Sequence, residues 1–225
     1  MLFFHESFPD YYEKTSLAAQ PNGVFGGIYW THTYYPHERL EVWRPTDRNP
    51  ASTRATTFQI ETAGGDAFKS LPLASPHLKS NEEFLVIRAK PRPVILLVPQ
   101  IDVNEKRLQS GGVINRRHCL VAPVFSINEP NSRESKFRQE FIDNVRRLMY
   151  PNFMYLPMDG GPLTDNSLLR LDCCQSVFTD NLTSLEYKLS PMVADLMRSQ
   201  FFYLCDQVDD GNYTTWRETC LEGAE

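Results

Sequence analysis

Lys90-Pro91-Arg92-Pro93-Val94-Ile95-Leu96-Leu97-Val98 is the stretch that decides how this chain is read. Proline on both sides of Arg92 holds the backbone extended there, because each ring fixes its own φ and disfavours a helical residue before it. The five apolar residues that follow do not alternate with polar ones, so they predict a strand buried on both faces. A guanidinium at the mouth of such a strand offers a planar donor fork suited to a phosphate. The same arginine also reads as a member of an ordinary charged turn.

Outward from this stretch, residues 84–87 and 119–125 are further continuous apolar runs of strand length. Such runs suit a small, strongly curved β-barrel. Residues 28–35 follow Gly26-Gly27, are rich in aromatics and threonine, and alternate imperfectly. Pro36-His37-Glu38 breaks them and Leu40-Glu41-Val42 alternates again, which predicts a hairpin. Another strand is expected over 167–173. Residues 45–80 hold Pro45, Pro50, Pro72, Pro76 and Gly64-Gly65, and read as a long insertion with at most one strand near 57–60. That insertion joins the hairpin to the strand before Arg92, so it is expected over or beside Arg92.

Two helices are expected. Residues 132–150 carry Phe137, Phe141, Val145 and Leu148 in a stripe that Pro151 ends. Ser190-Pro191 is an N-cap followed by proline at the first helical position, and Val193, Met197, Phe201, Leu204 and Val208 form the stripe behind it. Both stripes read as core packing. The aromatic-rich residues 1–22 read as an arm packed on the body, 23–208 as one domain, and 209–225 as an acidic tail.

The 225 residues include 23 Lys and Arg against 28 Asp and Glu, a net charge of −5, which excludes a wholly basic nucleic-acid coat. No apolar run approaches the roughly 18 residues of a membrane-spanning helix, and Met1-Leu2-Phe3-Phe4-His5-Glu6 lacks a secretory leader's pattern. Five cysteines is an odd number, so reduced thiols in a cytoplasm are the expectation. The charge is uneven. Residues 88–117 hold seven basic and two acidic side chains, +5, which leaves −10 for the rest. A basic island in an acidic chain fits a phosphate-binding cleft and equally a solvated face on two loops. Cys173-Cys174 lacks the gap of a zinc knuckle and Asp209-Asp210-Gly211 lacks the later acidic ligand of a calcium loop, so no metal or cofactor is expected.

Four segments together resemble the MazF/PemK toxins. Gly27-Ile28-Tyr29-Trp30 is similar to their opening strand, and Arg92-Pro93-Val94-Ile95 to their Arg-Pro-Val-Leu-Val strand. Val121-Ala122-Pro123-Val124-Phe125-Ser126 resembles their apolar strand ending in Pro-Ile-Thr-Ser. Leu171-Asp172-Cys173-Cys174-Gln175-Ser176-Val177, Asn181-Leu182 and the helix from Ser190 resemble their closing strand, turn and terminal helix. The resemblance implies an SH3-like small β-barrel with a C-terminal helix and an inserted helix, β and α mixed, with insertions at 45–80 and 129–166. It implies a homodimer that cuts single-stranded RNA without a metal, a 2′-hydroxyl attacking its own phosphodiester, and an acidic antitoxin protein as partner. Arg92 matches the arginine that steadies the phosphate.

Phe125 stands where those enzymes have threonine, and Ser126 follows it; Gln175 stands near the place of their later arginine. Neighbouring side chains on a strand point to opposite faces, so Ser126 replaces that threonine only if a bulge re-aims it. His32 and His37 accompany Tyr34, Tyr35 and Arg39 on the first hairpin, where the family's RNA groove would lie. Aromatics interleaved with cations suit stacking on bases, and a histidine there suits proton donation to a leaving oxygen. The candidate catalytic residues are therefore Arg92, Ser126 and His37. The candidate RNA-binding residues are Tyr29, Tyr34, Tyr35, Arg39, Arg88, Lys90, Arg116 and Arg117. A barrel of the same kind that binds protein or nucleic acid without cutting is one alternative, and an unrelated β-rich adaptor whose basic window is only a solvated face is another.

Overall fold

A computed structural model describes residues 2–15, 23–35, 41–45, 58–62, 84–101, 117–129, 132, 134–206 and 211–222. It is a mixed β and α structure. Its strands are β1 (Tyr12–Lys14), β2 (Gly27–Tyr34), β3 (Glu41–Pro45), β4 (Phe58–Thr62), β5 (Phe84–Val86), β6 (Ala89–Ile101), β7 (His118–Ser126), β8 (Phe153–Leu156), β9 (Ser167–Arg170), β10 (Gln175–Phe178) and β11 (Thr183–Leu189). Its helices are α1 (Gln139–Arg146), α2 (Pro191–Asp206) and α3 (Asn212–Glu222). The chain divides into two compact units, Met1–Thr33 with Pro91–Glu225, and Tyr34–Lys90.

In the larger unit the sheet order is β1-β11-β2-β6-β7-β9-β8, and β10 also pairs with β7. The pairs β1/β11, β11/β2, β6/β7, β7/β9, β7/β10 and β8/β9 are all antiparallel. Among the described residues β1 and β8 end the path and do not pair with each other, so the sheet is not closed. Gly26 turns the chain into β2 with φ +74°, a conformation that disfavours any Cβ. Its N–H donates to Leu96 O at 2.8 Å, and its carbonyl accepts from Leu189 N–H at 2.9 Å.

The central strands carry apolar side chains on both faces, which is why their runs do not alternate. Ile28, Ile95, Leu97, Ala122 and Val124 enter the main core, together with Val145 of α1, Val193 and Met197 of α2 and Tyr213 of α3. Tyr29, Val94, Leu96, Cys119 and Val121 form a second, smaller core. Residues read as an arm contribute to the core. Phe4, Phe8, Tyr11 and Tyr12 are buried in the main core, and the Tyr11 and Tyr12 hydroxyls donate to Tyr155 O and Pro157 O, each at 2.7 Å.

Four expectations need correction. β3 does not form a hairpin with β2: it pairs with β4 and β5 in a separate sheet of the smaller unit, Val42 standing opposite Glu61 and Leu85. Alternation marks a strand but does not name its partner. The helix expected over 132–150 is only Gln139–Arg146. Ser132 and Ser135 accept from the N–H groups of Glu134 and Phe137 at 3.0 and 3.1 Å, giving that backbone an alternative to helix. The strand expected over 167–173 stops at Arg170 and turns through a short 3-10 segment, Leu171–Cys173, before β10. The residues read as an acidic tail include α3, which buries Tyr213 and Cys220 in the main core. Most of the 45–80 insertion lies outside the described residues; within it, β4 begins at Phe58, where one strand was expected. Among the described residues no helix is long and apolar enough to cross a membrane.

Candidate functional site

The β6/β7 register sets Val94 opposite Pro123 and Ile95 opposite Ala122. Continued two residues outward, it places Arg92 beside Phe125 on the face of the smaller core. The Arg92 guanidinium carbon lies 4.3 Å from the centre of the Phe125 ring, and both side chains are half-buried. A guanidinium this close to an aromatic ring is attracted to the ring's electron-rich face. A planar cation held against a ring on β6 can receive the oxygens of a phosphodiester.

Ser126 is not brought to Arg92. The β7/β9 register runs without a shift through Val124–Leu169, Phe125–Leu168 and Ser126–Ser167, so nothing re-aims it. Its hydroxyl donates to Asn128 O and accepts from Asn128 N–H, both at 3.2 Å. Asp165 joins the turn, accepting from Asn128 Nδ2 at 3.2 Å and lying 3.5 Å from Ser126 Oγ. Ser126 is therefore built into a turn.

A second guanidinium meets the same ring. Arg170, on β9, stands opposite Phe153 of β8, with its guanidinium carbon 5.0 Å from the Phe153 ring centre and 5.9 Å from that of Phe125. Its Nε and Nη2 donate to the two carboxylate oxygens of Asp172 at 2.7 and 2.6 Å. Burial works to raise the Asp172 pKa, but the hydrogen bonds and charge of Arg170, with a further bond from Asn152, bring it below the usual carboxylate value. Charge-assisted, two-point pairs of this kind fix orientation as well as adding attraction.

The remaining candidates fall elsewhere. Tyr29 is 4% exposed in the smaller core, its hydroxyl accepting from Val24 N–H at 3.1 Å, so it offers no ring to a base. On β2 the exposed positions are Trp30, His32 and Tyr34, alternating with buried Thr31 and Thr33. In the smaller unit Arg88 and Lys90 are exposed, while Tyr35 is half-buried with its N–H on Arg88 O at 3.2 Å. Arg117 is exposed at the start of β7, where its carbonyl accepts from Thr179 N–H at 3.0 Å. His118 packs on Phe178, ring centres 4.4 Å apart, with Nδ1 3.3 Å from Ser176 Oγ. Gln175 is buried at the start of β10. His37, Arg39 and Arg116 lie outside the described residues.

Sequence reasoning missed Arg170 and its partner Asp172, which the structure brings to the Phe125 ring, and the exposed ring of Trp30 on β2. Trp30 was signalled by its position in the quoted opening strand. Arg170 carried no signal, because its meaning comes from register across β7, β8 and β9. Among the described residues no group of three His, Cys, Asp or Glu side chains is placed to hold a metal ion. No protein-family model matches the chain, and no curated protein matches it.

Proposed function

We propose that this chain is a divergent MazF/PemK-like protein, an SH3-like barrel acting in the cytoplasm as a homodimer, that grips single-stranded RNA by a phosphodiester at Arg92. The observation that carries this reading is the Arg92 guanidinium held 4.3 Å from the centre of the Phe125 ring, within β6. Cleavage of the toxin type follows if a 2′-hydroxyl gives up its proton to water and attacks the held phosphorus, closing a cyclic phosphate as the bond to the 5′-oxygen breaks and that oxygen takes up a proton. Arg92 would stabilise the charge that develops on the phosphoryl oxygens, commonly the largest catalytic contribution. His37 is the proton donor expected from sequence. An acidic antitoxin filling the same surface is the partner this reading calls for.

A second reading, RNA binding without efficient cleavage, is favoured by a specific observation: Phe125 occupies the place beside Arg92 and the Ser126 hydroxyl is held in a turn with Asn128 and Asp165. One experiment separates the two. Purified protein is incubated with long single-stranded RNA and a chelator, beside Arg92→Ala. Discrete cuts that vanish in the variant establish the nuclease. Binding that weakens steeply as salt rises, with no cuts, establishes the binding protein. If neither occurs, the phosphodiester site is wrong.

A further inference from the structure

We propose that Arg170 is a second phosphate-binding residue of this site, sharing the Phe125 ring with Arg92 so that single-stranded RNA crosses β7 with neighbouring phosphates on the two guanidiniums. The inference rests on the reading of Arg92 given above and extends it from one phosphate to a path. β6 and β9 lie on opposite sides of β7, so the two cations flank the central strand and converge on one ring from both sides.

Two features argue that Arg170 is oriented for a ligand. Asp172 takes the Nε and Nη2 edge of the fork. Among the described residues Nη1 has no hydrogen-bond partner, while the side chain keeps 24% of its exposure. Phe153 and Phe125 lie within cation–aromatic reach of the guanidinium, and these contacts help to hold it in place. The two-point bond to Asp172 fixes the direction in which the fork points. Phe125 then has a role of its own: where the toxin family has a hydroxyl, this chain has an aromatic plate that spaces two cations.

The molecule contains its own control. Arg198 lies 4.2 Å from the Phe25 ring centre and donates to Asp195 at 3.0 Å, a comparable ring-and-carboxylate environment with no second cation on the ring among the described residues. The test is fluorescence anisotropy with a labelled single-stranded RNA oligonucleotide in chelator, repeated across a salt series. Each phosphate contact contributes about 0.7 to the slope of log affinity against log salt for a single strand. Arg170→Gln should flatten that slope by about 0.7 and weaken binding several-fold at low salt; Arg170→Lys should restore the slope; Arg198→Gln should leave it unchanged. The double variant Arg170→Gln with Asp172→Asn removes the pair together and guards against an unpaired carboxylate disturbing the fold. If Arg92→Ala flattens the slope and neither Arg170→Gln nor the double variant does, this inference fails while the Arg92 reading stands. If the wild-type protein shows no salt-dependent binding, both fail.

Discussion

Tyr213 donates its hydroxyl hydrogen to the carbonyl of Leu148 at 2.7 Å, tying α3 to the end of α1 across 65 positions of chain. Leu148 is fully buried and sits at φ 60°, a conformation costly for leucine, so its carbonyl is held in place by surrounding contacts. Tyr213→Phe leaves that carbonyl without its partner. The expected loss is about 1–3 kcal/mol, read as a lower urea midpoint with an unchanged m-value. Truncation after residue 208 should cost more, because it also removes buried Cys220 and half-buried Trp216. A truncated chain as stable as the full one would show that α3 is an appendage.

Phe125 is expected to matter for its ring and not for its bulk. Phe125→Leu keeps the apolar volume but removes the aromatic face under Arg92 and Arg170. Cation–aromatic contacts are worth about 0.5–2 kcal/mol, so RNA affinity should fall a few-fold to about thirtyfold with little change in melting temperature. Phe125→Tyr should retain wild-type affinity. Equal affinity in the leucine variant would mean that the stacking does not orient the cations.

How far the sequence disclosed the molecule depended on whether a signal was local. β6 and β7 announced themselves, because continuous apolar runs are what two buried faces require, and Ser190-Pro191 marked the start of α2 to the residue. α3 was hidden because its acidic context masked a short core-facing set, buried Tyr213 and Cys220 with half-buried Trp216. The turn after Arg170 has no Gly or Pro to mark it; the Arg170–Asp172 pair and a Cys174 Sγ bond to Leu171 O accompany it instead. Arg92 stood out through its flanking prolines. Arg170 did not, since only strand pairing brings it to Phe125.

His5 should make the fold acid-sensitive well above the range where most carboxylates titrate. Burial first, and the Arg146 guanidinium second, push its pKa from 6.5 down to about 4. Arg146 Nη2 lies 3.1 Å from His5 Nε2, an arrangement that needs this nitrogen unprotonated as an acceptor. Between these values the unfolded chain binds a proton that the folded one refuses, so stability falls as pH drops from about 6.5 and levels off below about 4. Glu6 and Asp143 lie within ion-pair reach of Arg146. His5→Gln should therefore lose less stability than wild type between pH 7.5 and 5, measured by urea midpoints. Parallel profiles would place the acid sensitivity elsewhere.

The five thiols should divide sharply in reactivity. Burial raises Cys119 to about 11, and burial aided by neighbouring groups raises Cys174 to about 12, so both remain protonated near neutral pH. Cys173 and Cys220 are buried and also shifted upward, chiefly by desolvation. Cys205 is the exposed member of the set. Because the thiolate is the reacting species, brief alkylation of the native protein at pH 7.5 should label Cys205 first, with the others following only as the chain opens. Peptide mass spectrometry gives the order; early labelling of Cys119 would show that the smaller core is open to solvent.

Gly161 gives the last prediction, because the space for a side chain there is already filled. A Cβ on Gly161 would fall 2.5 Å from Cδ2 and Cε2 of Tyr12, whose hydroxyl is fixed on Pro157 O and whose strand pairs with β11. The ring cannot swing away without giving up that bond, so the strain of overpacking, about 1–3 kcal/mol, should be borne by the arm. Gly161→Ala should increase hydrogen exchange in β1 and β11 before it affects β6 or β7. Tyr12→Leu combined with Gly161→Ala should recover part of the loss, since the flexible side chain can make room for the methyl group. If exchange rises uniformly instead, the arm is not a separate cooperative unit and unfolds with the central strands.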